Sequence, residues 1–371
     1  MFERIPCTVL TGFLGAGKTT LVQSMLRNPA GRRLALIVNE FGTAGVDGEL
    51  IKSCGLEDCD DDDVVELANG CICCTVADDF VPTLTALLDR ETPPDHIVIE
   101  TSGLALPQPL LRAFAWPEVR ARVTVDGVVT VVDARAVADG RFADDEDAVA
   151  RQRQADASLD HDQPLADLFA DQVSCADLIV FSKTDLISAE ERSAVEVAVA
   201  EHRREAARAI DSTVEAPPPV SVLLGLTAGA EADTAHRVAR HDHDHDHDHH
   251  RHDHDHDDHH HHHAQDHDHD DFESFVVDVA EVSDPAALSA RIEALGRHPS
   301  VLRIKGAVAV AGKPMRLVVQ AVGPRLETYF DRPWHAGEDR RGQLVVIGLA
   351  GLDRAALTSA LTVAPASEAA E

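Results

Sequence analysis

The chain has 371 residues, 44% of them hydrophobic, and a formal net charge of −32. That length holds one large and one smaller domain with ample core, and so acidic a balance argues against a nucleic-acid footprint. No apolar stretch reaches the roughly 20 residues of a membrane helix, and Met1 to Arg4 lead straight into a strand, so no signal peptide is expected and the cytoplasm is the expected compartment.

The apolar run Ile5 to Leu10 reads as a buried strand, and Leu21 to Arg27 has helical apolar spacing. Leu34 to Val38 is a second buried strand, ending in Asn39-Glu40-Phe41-Gly42. Val64 to Leu67 leads into Cys71-Ile72-Cys73-Cys74, after which a helix is predicted over about Ala77 to Arg90. His96 to Glu100, Gly127 to Val132 and Leu178 to Phe181 are further β-branched runs, and strands alternating with helices imply a mostly parallel, doubly wound α/β sheet. Ala138 to Pro164 reads as an exposed polar insertion, Ala189 to Ala209 as one long charged helix, and Pro217 to Pro219 as the lead into a short strand.

Residues 241–271 carry 12 Asp, one Arg and 16 of the 22 histidines, so they have no apolar surface to offset the entropy of ordering. Beyond them, strands are predicted over Phe272 to Val282, Val301 to Val310, Met315 to Val322 and Leu344 to Leu349. With helices over Pro285 to Leu295 and Asp353 to Leu361, this is a small α+β domain in βαββ(β)α order. The expected division is 1–230, a linker over 231–271, 272–363, and a tail over 364–371.

Gly12-Phe13-Leu14-Gly15-Ala16-Gly17-Lys18-Thr19-Thr20 lies between the first strand and the first helix, the setting a phosphate loop requires. Its backbone N–H groups and the helix N-terminus would face an anion, Lys18 would reach the β/γ-phosphates, and the Thr19 hydroxyl would hold Mg²⁺. Glu100, at a strand end in Glu100-Thr101-Ser102-Gly103, would approach the Mg²⁺, and the Gly103 amide would sense the γ-phosphate. Ser182-Lys183-Thr184-Asp185 resembles the element that reads guanine: the Asp185 carboxylate accepts from the paired N–H edge that adenine lacks, and Lys183 lies along the base. Ser182 stands where Asn is usual, but GTP is preferred over ATP.

Three thiols within four residues, Cys71, Cys73 and Cys74, suit a divalent ion of tetrahedral taste such as Zn²⁺ or Co²⁺. A redox switch and a structural zinc site are the rival readings; Cys54 and Cys59 are spaced wrongly for a second CxxC pair and stand as auxiliary ligands at most. The His/Asp tract reads as a local metal sink, with a solubilising linker as the alternative. His96, His161, His202, His236, His298 and His335 are assigned no function.

Taken together, GFLGAGKTT, NEFG, ELANGCICC, the Glu-Thr-Ser-Gly turn, SKTD, the His-rich tether and the small last domain resemble the CobW family of GTPases, relatives of the nickel-insertion GTPases of urease and hydrogenase. Lys52-Ser53-Cys54-Gly55, Thr75 to Phe80 and Ser102 to Pro107 are similar to the branch tied to cobalamin biosynthesis. The resemblance implies a GTP-dependent metallochaperone. Mg²⁺–GTP would order the segments around Glu40 and the CxCC turn, making Glu40 a catalytic candidate beside Lys18 and Glu100. Co²⁺ would be held by Cys73 and Cys74, with or without Cys71, and released on hydrolysis to a cobalt-inserting chelatase or another acceptor. A nucleotide-dependent dimer is compatible with this, and no nucleic-acid or membrane partner is expected. A zinc chaperone or nitrile-hydratase-type activator is the alternative within the family; a His-rich metal buffer and a small-molecule kinase are the alternatives outside it.

Overall fold

The computed structural model describes residues 4–38, 64–66, 80–155, 164–226, 230, 272–335, 338 and 340–362. Its first half runs β1 (Ile5–Thr11), α1 (Lys18–Arg27), β2 (Leu34–Val38), β3 (Val64–Glu66), α2 (Val81–Leu88), β4 (His96–Glu100), α3 (Pro107–Ala113), α4 (Pro117–Arg120) and β5 (Val123–Asp133). It continues with α5 (Ala134–Ala138), α6 (Glu146–Ala155), α7 (Leu165–Cys175), β6 (Leu178–Ser182), α8 (Ala189–Ala200), β7 (Arg208–Asp211) and α9 (Val220–Leu223).

Seven strands form one sheet in the order β3-β2-β4-β1-β5-β6-β7, and every ladder in it is parallel. Its inner strands are apolar on both faces because helices cover both. In β2, Leu34, Leu36 and Val38 join one cluster with Leu21, Val22 and Met25 of α1, while Ala35 and Ile37 turn to the other face against Leu84 and Leu87 of α2. Register then delivers the functional strand ends to one edge: Leu10 pairs with Glu100, Thr11 with Thr130, and Asp133 with Ser182.

The second sheet is antiparallel, ordered β11-β10-β9-β12-β8. Its elements are β8 (Phe272–Val279), α10 (Pro285–Gly296), β9 (Val301–Ala309), β10 (Met315–Val322), β11 (Arg325–Pro333), β12 (Gly342–Leu349) and α11 (Arg354–Thr362). Leu288 and Ile292 of α10 and Leu357 and Leu361 of α11 cover one face of it, packing on Val277, Ile304, Val319 and Val346.

The structure corrects the sequence reading in four places. The helix predicted to Ala209 stops at Ala200, and Arg208–Asp211 pairs with β6 instead, burying Ile210. Ala and Arg are good helix formers, but propensity is a weak prior, and a parallel ladder with a core position for Ile210 outweighs it. Pro217 to Pro219 lead into the short helix α9, not a strand. The exposed insertion contributes Ala143 and Val149 to the core beside Phe13. The second sheet holds one strand more than predicted, β11, whose exposed and charged face disguised it. The cysteine turn, Glu40, Cys54, Cys59 and the His/Asp tract lie outside the described residues.

Candidate nucleotide site

Gly12 opens the phosphate loop at φ 138°, and a Cβ there would lie 2.2 Å from the Val131 carbonyl oxygen of β5. Only glycine lets the chain leave β1 pressed against its neighbour. The loop curls over Phe13, packed with Phe142 and Phe169 at centroid separations of 6.1 and 6.2 Å, and enters α1 at Gly17. Loop amides and the α1 N-terminus make this mouth a receptor for anions.

Lys18 is buried, and its Nζ donates to the Gly12 and Phe13 carbonyls at 2.9 and 3.1 Å. The ammonium is thus held inside the loop at which phosphates would arrive. Thr19 Oγ1 donates to Glu100 Oε1 at 3.1 Å. A hydroxyl and a carboxylate side by side form a hard oxygen donor set that fits Mg²⁺, which retains waters for its remaining positions.

Gly103 lies against the loop itself, since a Cβ there would come 2.6 Å from the Leu14 nitrogen. Its turn is pinned at the start by Thr101, whose N–H and hydroxyl both donate to the Leu10 carbonyl, at 2.9 and 3.3 Å. Gln172 of α7 pins it further on, and Gln152 of α6 donates to Ser102 Oγ at 3.2 Å.

At the end of β6, Ser182 Oγ donates to the Ala16 carbonyl at 2.6 Å, tying that strand end to the phosphate loop, and lies 3.2 Å from the Val132 carbonyl. Lys183 has left-handed backbone, φ 56°, and its Nζ donates to Asp133 Oδ2 at 2.6 Å and Asp144 Oδ2 at 3.3 Å. Burial pulls the Lys183 ammonium down, but the bond and attraction to Asp133, with Asp144 adding, raise it above the usual lysine range. Thr184 Oγ1 donates to the Ser212 carbonyl at 3.4 Å, bringing the end of β7 alongside, and Asp185 is exposed.

Of the residues singled out in sequence, the fold gathers Gly12 to Thr20, Glu100, Gly103, Ser182, Lys183 and Asp185 at the carboxyl edge of one sheet. Glu40, Cys71, Cys73 and Cys74 fall outside the described residues. Among the described residues no group of three His, Cys, Asp or Glu could hold a metal ion, and no helix is long and apolar enough to cross a membrane. Asp133, Asp144, Gln152 and Gln172 were not anticipated. Asp133, the last residue of a buried strand whose end is brought to this edge, carried the one legible signal.

The family profile described as CobW/HypB/UreG, nucleotide-binding domain, matches residues 6–210, and that of the cobalamin synthesis protein cobW C-terminal domain matches residues 272–364. A Sinorhizobium protein named zinc chaperone CobW is 52% identical over 359 residues, 97% of each chain. A Pseudomonas aeruginosa protein of the same name is 48% identical over 365 residues, 97% of this chain and 92% of the relative. Among solved structures, Zn(II)-bound YjiA GTPase from E. coli aligns over 97% of this chain and 98% of that one, at 24% identity and a TM-score of 0.40.

Proposed function

Because the chain belongs to the CobW/HypB/UreG family of GTPases, we propose that it is a GTP-dependent metallochaperone whose cargo ion is held by the thiolates of Cys71, Cys73 and Cys74. GTP hydrolysis is its chemistry. The observation that carries the coupling to metal is the register of three strand ends. Val38 pairs with both Glu66 and Glu100, so the chain leaves β2 toward Glu40, and leaves β3 toward Cys71, from the edge that holds the phosphate loop. Segments leaving beside a γ-phosphate site are suited to being ordered by GTP and loosened by hydrolysis.

In this reading the loop amides take the β- and γ-phosphate oxygens, and Lys18 exchanges its two loop carbonyls for them. Mg²⁺, held by Thr19 and Glu100, would neutralise charge on the β- and γ-oxygens. The Gly103 N–H marks the γ-phosphate. Asp185 accepts from the guanine edge, Lys183 lies along the base, and Ser182 keeps that element fastened to the loop. Glu40 belongs to the segment that responds to the nucleotide.

Zinc is the cargo best supported, since thiolates bind Zn²⁺ at least as well as Co²⁺ and both relatives above are named zinc chaperones. Cobalt for cobalamin biosynthesis, delivered to a chelatase, is the second reading; the description of the C-terminal family and the Lys52-to-Gly55 segment favour it. In either case the acceptor is a metal-requiring protein, residues 231–271 act as a tether, and their histidines gather metal locally.

The test is Zn²⁺ and Co²⁺ affinity by competition with a chromophoric chelator, for the full chain and for one lacking residues 241–271. Each is measured with Mg²⁺–GTP, with Mg²⁺–GDP and without nucleotide. One tight site that needs GTP, survives the deletion and disappears in Cys73→Ser is the expected result. The tighter ion in the GTP state identifies the cargo. Equal affinity in all three nucleotide conditions overturns the gating, and loss of the site with the tract makes the protein a His-based buffer.

A further inference from the structure

Gln172 lies in the middle of α7 with 1% of its surface exposed, far from any phosphate-loop residue in sequence. Its Nε2 donates to the Gly103 carbonyl at 3.1 Å and to the Ala105 carbonyl at 3.2 Å, using both amide hydrogens on one turn. The Gln172 backbone carbonyl accepts from Thr130 Oγ1 of β5 at 3.0 Å, so the helix that carries the side chain is itself fixed to the sheet. A buried primary amide costs free energy unless its donors are used. Here both are spent on the turn after Glu100, and none on the helix or the core.

Gln152 of α6 also holds the turn, but only by its Ser102 hydroxyl, at 3.2 Å. Thr101 fixes its first residue to Leu10, and Ala105 N–H donates to the Ser102 carbonyl at 3.0 Å. Between them, Gly103 rests on the Leu14 backbone so closely that it has no room for a Cβ. Among the described residues nothing accepts from the Gly103 N–H. With its carbonyl held from the α7 side and its body against the Leu14 backbone, that N–H is the one of the turn fixed closest to the phosphate loop and open to a ligand.

We infer that Gln172 is a positioning residue for GTP hydrolysis: it sets the Ser102–Ala105 turn so that the Gly103 N–H meets the γ-phosphate, and thereby makes the site distinguish GTP from GDP. Gln172 touches no nucleotide. It acts through two carbonyls, and its effect falls on the state in which a third phosphate is present. The inference rests on the placement of Gly103 at the γ-phosphate proposed above.

The experiment uses the full chain with Mg²⁺ and measures GTP and GDP affinities by fluorescent-nucleotide titration, steady-state kcat and KM, and the thermal midpoint. Gln172→Met keeps the length and apolar body of the side chain but has no donor. It should leave GDP affinity within about twofold, weaken GTP about tenfold and lower kcat at least tenfold, the size expected when one hydrogen bond to a charged group is lost. If the Met variant does not fold, Gln172→Asn, whose amide is retracted by one methylene, makes the same test. Thr130→Val removes the bond to the Gln172 backbone, so it should lower the thermal midpoint while the GTP-to-GDP affinity ratio stays put. Equal weakening of GTP and GDP in Gln172→Met, or an unchanged ratio and kcat, overturns the inference. Gly103→Ala separates the two readings. If it abolishes discrimination while Gln172→Met does not, only the role of Gln172 fails; if Gly103→Ala is also silent, the γ-phosphate does not meet Gly103.

Discussion

His96 opens β4 at the end of the sheet away from the phosphate loop, fully buried, with its Nε2 2.8 Å from Thr8 Oγ1. The Thr8 hydroxyl donates to Asp126 Oδ2 at 3.3 Å, so Thr8 accepts from His96 Nε2–H and the imidazole is the neutral Nε2 tautomer. Among the described residues the Nδ1 lone pair faces no hydrogen-bond partner. Burial lowers the His96 pKa from 6.5 to about 4, outweighing the attraction of Asp126. Between those pH values the unfolded chain binds a proton that the folded chain refuses. The stabilisation from a neutral His96 is therefore complete above pH 6.5 and is lost as pH falls toward 4, about 3 kcal/mol in all and about 2 kcal/mol of it by pH 5. Urea unfolding from pH 8 to 5 should show this slope as the difference between the wild-type protein and His96→Gln. Parallel profiles for the two would mean that His96 does not carry the titration.

At the level of elements, Asp126 occupies the irregularity where β5 slips past β1, between the pairs Cys7–Val125 and Thr8–Gly127. Its Oδ2 accepts from the N–H groups of Gly225 and Leu226, the latter at 2.9 Å, as well as from Thr8. The bulge thus turns a carboxylate toward the segment after α9 and holds that segment against the sheet. Asp126→Ala leaves three donors unmet, two of them buried, and should cost about 3 kcal/mol in urea unfolding, with nucleotide affinity unchanged because the site is at the other end of the strands. A loss under about 1 kcal/mol would mean that water or backbone rearrangement replaces the carboxylate. Nothing in Val-Asp-Gly marks such a bulge in sequence. What was legible is what local patterning fixes: buried strands such as Leu34–Val38, and a glycine loop whose spacing only a phosphate cradle explains. What was not legible depends on partners distant in the chain. β11 is a strand because β10 pairs with it, Arg208–Asp211 is a strand because β6 does, and Gln172 meets Gly103 only after folding. The same limit applies to Ser182. Its hydroxyl looked like a lost guanine contact, and in the structure it fastens the end of β6 to the loop between β1 and α1.

The two sheets are joined as well as linked. Leu302, Val322 and Ile347 of the second sheet share one apolar cluster with Val220, Val222 and Leu223 of α9 and with Leu10 and Val129 of the first. Polar groups cross the same boundary. Arg303 donates to the Leu224 carbonyl at 2.6 Å, and burial, against the pull of Asp126, brings its guanidinium down to about 10. Arg325 donates to the Leu226 carbonyl at 2.9 Å and to Asp177 Oδ1 at 3.0 Å. Asp177 is the central group, with its side chain wholly buried at the entry to β6, accepting from Val128 N–H at 2.9 Å and Arg204 at 2.6 Å besides Arg325. Removing one partner from such a network strands the remainder, and costs about 3–5 kcal/mol where the stranded group is a buried charge. Each sheet has its own core, so each can in principle melt alone; the shared cluster and Asp177 make them melt together. Calorimetry of the wild-type protein should therefore show one cooperative transition, and Asp177→Ala should lower it and release the second sheet as a separate, earlier one. Arg325→Met should do less, since Asp177 keeps Arg204. If Asp177→Ala melts in a single transition at the wild-type temperature, the Arg325–Asp177 pair across the boundary adds nothing measurable to the joining of the sheets.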